Sequence, residues 1–152
     1  MLLSKNASVK KQNWKIDYKR FRIWLKDKYS ITKAFVFIGY IEKNAYLYQN
    51  LKRSGFTLIF KPTVAYRDGR VKGNCDSELV MHVMIEWFNF DQAVLVTADG
   101  DFYSLCKYLV KHEKMKRILI PDRSSYSILL RRLLAHITYL NDSSIKQKIG
   151  RQ

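Results

Sequence analysis

A chain of 152 residues with 47% hydrophobic side chains, 6 Gly and 2 Pro is long enough for one domain around one core and too apolar for extended disorder. Its 28 Lys and Arg against 13 Asp and Glu leave a net charge of +15 and a pI near 9.9, which points to polyanionic partners. No apolar stretch approaches the roughly 20 residues that span a bilayer, and Met1-Leu2-Leu3 runs at once into polar and basic residues rather than a signal-peptide core, so a cytoplasmic protein without a membrane span is expected.

In chain order, Phe21, Trp24, Leu25 and Lys28 recur at helical spacing and predict a helix over 18–29. Residues 33–38 read as a short apolar strand ending at Gly39, and 42–54 as a helix closed by Gly55 in the left-handed conformation. A strand over 56–60 stops at Pro62, and Asp68-Gly69 supplies a turn within 66–70. The stretch 76–88 predicts a helix with Leu79, Val80, Val83, Met84 and Trp87 toward the core. A strand over 93–97, a helix over 101–112, a strand over 117–120 stopped by Pro121, a helix over 124–135 and a last strand over 137–140 complete the series. This alternation predicts an α/β fold, a mostly parallel sheet with helices on both faces. Residues 1–142 are read as the domain and 143–152 as a basic C-terminal tail.

The chemistry concentrates at Asp99-Gly100-Asp101, where the apolar run Ala93-Val94-Leu95-Val96-Thr97 meets two carboxylates. The carboxyl end of a buried parallel strand is where open α/β sheets place ligands, and paired acids there suit a hard divalent cation. As structural devices alone, Asp101 caps the next helix and Gly100 permits a tight turn; that leaves Asp99, a carboxylate whose burial without a partner costs several kcal/mol, unexplained. From Asn74 to Cys106 the chain carries six acids and no Lys or Arg, an acidic island in a basic protein. Asp76 opens its helix, where the dipole alone favours an acid, but Lys72-Gly73-Asn74 sets a cation and flexible backbone beside it. Glu78 is a minor candidate on another helix face.

The bases cluster as well. Residues 1–33 hold ten Lys and Arg against Asp17 and Asp27, and 107–132 hold eight against Glu113 and Asp122. Aromatics interleave with the first cluster (Trp14, Tyr18, Phe21, Trp24), which favours nucleic acid over a merely solvated face or a membrane surface. His82, His112 and His136 share no ligand spacing, Ser124 and Ser125 read as helix caps, and Cys75 and Cys106 as packed, reduced thiols.

Phe35-Val36-Phe37-Ile38-Gly39, Gly55-Phe56, Lys72-Gly73-Asn74-Cys75-Asp76 and Val96-Thr97-Ala98-Asp99-Gly100-Asp101-Phe102 together resemble the NYN domains, PIN-like predicted ribonucleases of the LabA-like type. The resemblance runs from about Trp14 to Asn141. It implies a PIN-like three-layer sandwich, Mg²⁺ or Mn²⁺ held by Asp76, Asp99 and Asp101 as catalytic and metal-site acids, and RNA as substrate. Lys72 and Asn74 would meet phosphate, with Lys15, Lys19, Arg22 and Arg123 chosen from charge to track the RNA backbone. The partners expected are RNA and, left open, a second copy of the chain.

One departure stands out. Members of the family begin with a strand ending in Asp, followed by Asn two or three residues later, and 1–5 reads instead as the loop or helix after such a strand. The expectation is therefore an empty slot between 33–38 and 93–97, met by direct pairing of the two flanking strands, by a segment from elsewhere or a second copy, or by marginal stability. The function expected is a metal-dependent endoribonuclease, with a catalytically impaired RNA-binding module as the alternative. A small-molecule phosphotransferase built on an Asp-x-Asp pair is disfavoured, because Phe102 follows where that chemistry needs Thr.

Overall fold

The computed structural model describes residues 2–3, 14–61, 64–65, 71–72 and 75–151. Strands β1 (Leu2–Leu3), β2 (Phe35–Gly39), β3 (Thr57–Lys61), β6 (Ala93–Val96), β7 (Met115–Ile120) and β8 (Ile137–Tyr139) form one parallel sheet in the order β3-β2-β1-β6-β7-β8. A separate antiparallel pair joins β4 (Val64–Ala65) to β5 (Val71–Lys72). The turn expected between them lies outside the described residues.

Strand alternation divides the core in two. Val36, Ile38, Val94, Val96 and Leu119 face one side, where they meet Phe21, Trp24 and Leu25 of α1 (Tyr18–Tyr29), Tyr48 and Leu51 of α2 (Ala45–Arg53), and Ile149 of α6 (Ser143–Ile149). Phe37, Leu95, Ile118 and Ile120 face the other, against Leu79 and Val83 of α3 (Asp76–Ile85), Leu105, Cys106 and Leu109 of α4 (Tyr103–Lys111), and Leu130 of α5 (Ile128–Arg131). A strand buried on both faces needs apolar residues at every position, and β6 and β7 supply them along most of their length. The result is a three-layer α/β sandwich.

The central slot is occupied. Leu2 pairs with both Phe35 and Leu95, and Leu3 with both Val36 and Val96, so the first residues of the chain, expected as loop or helix, run as a strand between β2 and β6. Two residues carry no readable periodicity, and unpaired backbone groups on two buried neighbours, each costing about 1–3 kcal/mol, favour filling the gap. Strand order reverses at β1, the switch point where ligand clefts form in such sheets.

Other boundaries differ from expectation for local reasons. The expected helix over 124–135 is only α5 followed by a 3₁₀ turn over Leu134–His136, because Asp122 Oδ1 accepts from the Ser124 amide and hydroxyl and holds 122–124 as a turn. Ser127, rather than Ser124 or Ser125, caps α5 through the Leu129 amide. The expected helix over 42–54 begins as a 3₁₀ turn over Glu42–Asn44, and Gly55 after it takes φ +90°. Val80 and Met84 of α3, expected in the core, are exposed. Residues 143–149 are not a tail. Ile145 and Ile149 recur at i, i+4 and seal α6 onto α1, with the Asp17 amide donating to the Ile149 carbonyl at 2.8 Å and the Arg151 amide to the Lys15 carbonyl at 2.8 Å. Its lysines hid a short amphipathic helix.

Candidate active site

Two elements bring the acids together at the carboxyl edge. β6 leads through the fully buried Thr97, whose hydroxyl accepts from the Asp99 amide at 3.0 Å, into a 3₁₀ turn over Gly100–Phe102. Asp99 caps that turn, its Oδ1 accepting from the Asp101 amide at 3.0 Å, so Asp99 performs the capping role expected of Asp101. α3 begins with Asp76 in its first turn, over the same edge. Ligand oxygens of Asp76, Asp99 and Asp101 all lie within 4.8 Å of one another, Asp76 and Asp99 half-buried and Asp101 exposed.

Gly100 is required by proximity rather than by turn geometry. A methyl group there would lie 3.0 Å from Ser127 Cβ, closer still to the Ser127 hydroxyl, and 3.4 Å from Leu129 Cδ1. The Ser127 amide also donates to the Ala98 carbonyl at 3.0 Å. The segment from Pro121 to Ser127 therefore forms a second wall, and Ser124, Ser125, Tyr126 and Ser127 line one cleft with Asp99 and Asp101. Tyr126 and Tyr139 share a hydroxyl–hydroxyl bond of 2.9 Å, with Arg131 over the Tyr126 ring at 5.4 Å. The bond to Tyr126 is the main reason that the Tyr139 hydroxyl ionises above its ordinary range.

The sequence reading missed Lys61, the last residue of β3. Its ammonium pairs with Glu78 at 3.1 Å, joining the end of β3 to the start of α3 beside Asp76. Partial burial pushes the Glu78 carboxyl up, but bonds from Lys61 and Ser77 outweigh it and hold the group below its ordinary value of 4.5. The signal was the one used for Asp99: a polar residue where an apolar strand ends.

The expected RNA contacts fare unevenly. Lys15 and Lys19 are exposed at and before the first turn of α1, and Arg123 is exposed beside the cleft, its guanidinium 4.9 Å from the Tyr139 ring centre. Arg22 is committed elsewhere: its nitrogens donate to the carbonyls of Gly55 at 3.2 Å, Ile31 at 3.1 Å and Thr32 at 2.9 Å, tying α1 to the entrance of β2 and the end of α2. The backbone of Lys72 lies in β5 opposite Val64, while Asn74 is outside the described residues.

Other reactive groups stand apart from the acids. Burial pushes the Cys106 thiol up to about 12, which keeps it protonated and inert. The His82 ring packs edge-on to Phe35 and Phe37 at 4.6 and 5.5 Å. It lines a cavity at the opposite edge of the sheet together with Tyr29, Lys33, Phe90 and Lys116.

Three carboxylates converging this closely, with oxygen donors only, form a donor set suited to a hard divalent cation. Without one, the acids repel, which is why such clusters accompany metal or phosphate chemistry more often than stability.

Similarity supports the same grouping. No curated protein matches the chain significantly. A crystal structure of a protein of unknown function from Vibrio parahaemolyticus RIMD 2210633 superposes with a TM-score of 0.70 at 20% identity, over 93% of this chain and 86% of that one, which establishes the shared fold. The NYN domain profile matches residues 4–141, and the chain belongs to the NYN domain family, whose members are generally predicted nucleases.

Proposed function

We propose that the protein is a divalent-metal-dependent endoribonuclease acting on RNA in the cytoplasm. The observation that carries this reading is the convergence of Asp76, Asp99 and Asp101 within 4.8 Å at the sheet's switch point. These residues would hold the metal ion, Mg²⁺ or Mn²⁺. When bound, such an ion supplies Lewis-acid polarisation of a phosphodiester oxygen and a water acidified for in-line attack. The protein's own part is positioning. Asp99 is fixed through its capping bond and through Thr97, Asp101 sits on the exposed side toward substrate, and the serine wall limits where a phosphate can lie. Lys72, close to Asp76 in sequence, and Lys15, Lys19 and Arg123 neutralise the RNA backbone, in keeping with the +15 charge, while Asn74 can only hydrogen-bond to it.

A second reading is favoured by one specific feature. Ser4, Lys5 and Asn6 follow β1, so no carboxylate comes off the end of the central strand, where the resemblance leads one to expect an acid. That fits an RNA-binding module with impaired catalysis. Incubating nuclease-free protein with labelled RNA, with Mn²⁺, Mg²⁺ or chelator, separates the two. Metal-dependent cleavage abolished by Asp99→Asn supports the nuclease. Salt-sensitive binding without cleavage, unchanged by Asp99→Asn, supports the binding module. Absence of both ends the RNA reading.

A further inference from the structure

The carboxyl end of β2 carries aromatic side chains that the acid cluster does not use. Tyr40, the residue after the strand, is 51% exposed, and Phe60 of β3 is 36% exposed. Single exposed aromatics are ordinary, but Tyr40 is held in place. The buried Tyr48 hydroxyl donates to the Gly39 carbonyl at 3.2 Å and accepts from the Ile41 amide at 2.9 Å, which fixes the backbone on both sides of Tyr40. The Tyr40 amide donates to the Lys61 carbonyl at 3.4 Å and carries the β2–β3 pairing one residue further. Its ring packs on Tyr48 with centroids 5.8 Å apart and on Phe60 at 5.6 Å, nearly perpendicular. A ring braced by two others and half open to solvent is a stacking platform that has little side-chain entropy left to lose on contact.

Register sets that platform level with the acids. Val36 and Val96 both lie beside Leu3, so Tyr40 stands four residues beyond that level at the end of β2 and Asp99 three beyond it at the end of β6. Only β1 separates the two strands, which puts their ends about 10 Å apart. Charge selects the occupant. From Tyr40 to Lys61 the chain carries Lys43, Lys52, Arg53 and Lys61 against Glu42 alone, which favours a polyanion. A polyanion that also brings flat rings is an unpaired strand of nucleic acid, whereas a duplex keeps its bases in its own stack and offers only phosphates.

We propose that Tyr40 is a base-stacking subsite, taking one unpaired base of an RNA strand whose neighbouring nucleotides reach the acid cleft. Tyr48 and Phe60 brace the ring, and the exposed Lys43, three residues on, meets phosphate. The subsite rests on the RNA reading above and holds whether the cleft cleaves or only binds.

The test is fluorescence anisotropy of a labelled single-stranded RNA of about ten nucleotides, with chelator present so that the probe stays intact. Tyr40→Ala should weaken binding by about tenfold, the fold-change of one lost base stack, with the salt slope unchanged because no phosphate contact is removed. Tyr40→Phe, which keeps the ring, should bind as the wild type does. Removing one base at a time from the RNA should find a position where the wild type loses the same factor and Tyr40→Ala loses nothing further. A blunt duplex of the same sequence should not distinguish wild type from Tyr40→Ala. Circular dichroism and melting temperature check that the variants fold, and photo-cross-linking of wild type to RNA carrying 5-iodouracil, with the joined residue read by mass spectrometry, tests the contact without any substitution. Folded Tyr40→Ala that binds the strand as tightly as wild type overturns the subsite and leaves the RNA reading standing. Equal loss on strand and duplex overturns it too, as does a cross-link that maps away from Tyr40. Wild type that binds no RNA ends the subsite and the RNA reading together, while binding without Mn²⁺-dependent cleavage removes the nuclease reading alone and supports the subsite if the Tyr40 effects are present.

Discussion

The two helix layers cover the same sheet but do different things with their outer surfaces. On the α1–α2–α6 side, bulky residues such as Phe21, Trp24 and Leu25 go inward and lysines such as Lys19, Lys26 and Lys28 go outward, so the layer is finished toward water and its outer surface is basic. On the α3–α4–α5 side, α3 offers acids at its start and a second apolar face along its length. A layer that only had to be stable would resemble the first. The departures in the second, a cluster of carboxylates and exposed apolar residues along α3, are features that stability alone does not call for.

If both layers are equally well packed inside, Leu25→Ala and Leu79→Ala, each fully buried, should cost about 2–5 kcal/mol apiece in urea unfolding. A cost below about 1 kcal/mol at Leu79 alone would break the comparison by showing that α3 is loosely held. Asp99→Asn separates function from stability on the second side. It should reduce metal-dependent cleavage by about a hundredfold or more while leaving the melting temperature unchanged or raised, since one of three like charges is removed. Mn²⁺ should raise the melting temperature of the wild type and not of this variant, and a metal response that survives it would remove Asp99 from the ligand set.

On the first side, Arg22→Ala and Lys19→Ala should trade effects. Losing three carbonyl bonds at Arg22 should cost about 1–3 kcal/mol of stability and hardly alter the salt dependence of RNA binding. Lys19→Ala should leave stability alone and lower the salt slope of RNA binding by about 1, the share of a single neutralised phosphate. The smallest effect belongs to Glu78→Gln, about 0.5 kcal/mol, as for other solvent-accessible ion pairs. Because the folded Glu78 carboxyl sits below 4.5, the contribution of the pair is complete above that value and fades as pH falls through the lower folded value. Urea midpoints of wild type and variant should therefore converge on acidification, and a gap that widens would reverse the sign assigned to the pair.

What could be read from the sequence follows the range of the forces involved. α1 was legible to the residue because its apolar spacing and its cap, Asp17 accepting from the Arg20 amide, are local. The acids were legible because a charge at the end of a buried strand is anomalous on its face. β1 was illegible, since two residues become a strand only through neighbours more than 30 positions away. Arg22 counted as a surface base because its carbonyl partners lie on loops that only the fold brings near. α6 passed for a tail because its two isoleucines matter only once α1 is there to receive them. Val80 and Met84 were assigned to the core because periodicity cannot tell which of two apolar faces a helix buries.

The close approach of Gly100 to Ser127 gives the cleft a fixed gauge. The loop carrying two of the acids and the loop carrying the serines come from different strands, and the Ser127 side chain occupies the space that a single methyl group at residue 100 would take. With the hydrogen bond from the Ser127 amide to the Ala98 carbonyl as a second fastening, the two loops are held against one another at this point. Walls fastened to each other in this way leave less conformational entropy to be lost when any ligand enters the cleft between them, so shape is set largely before binding.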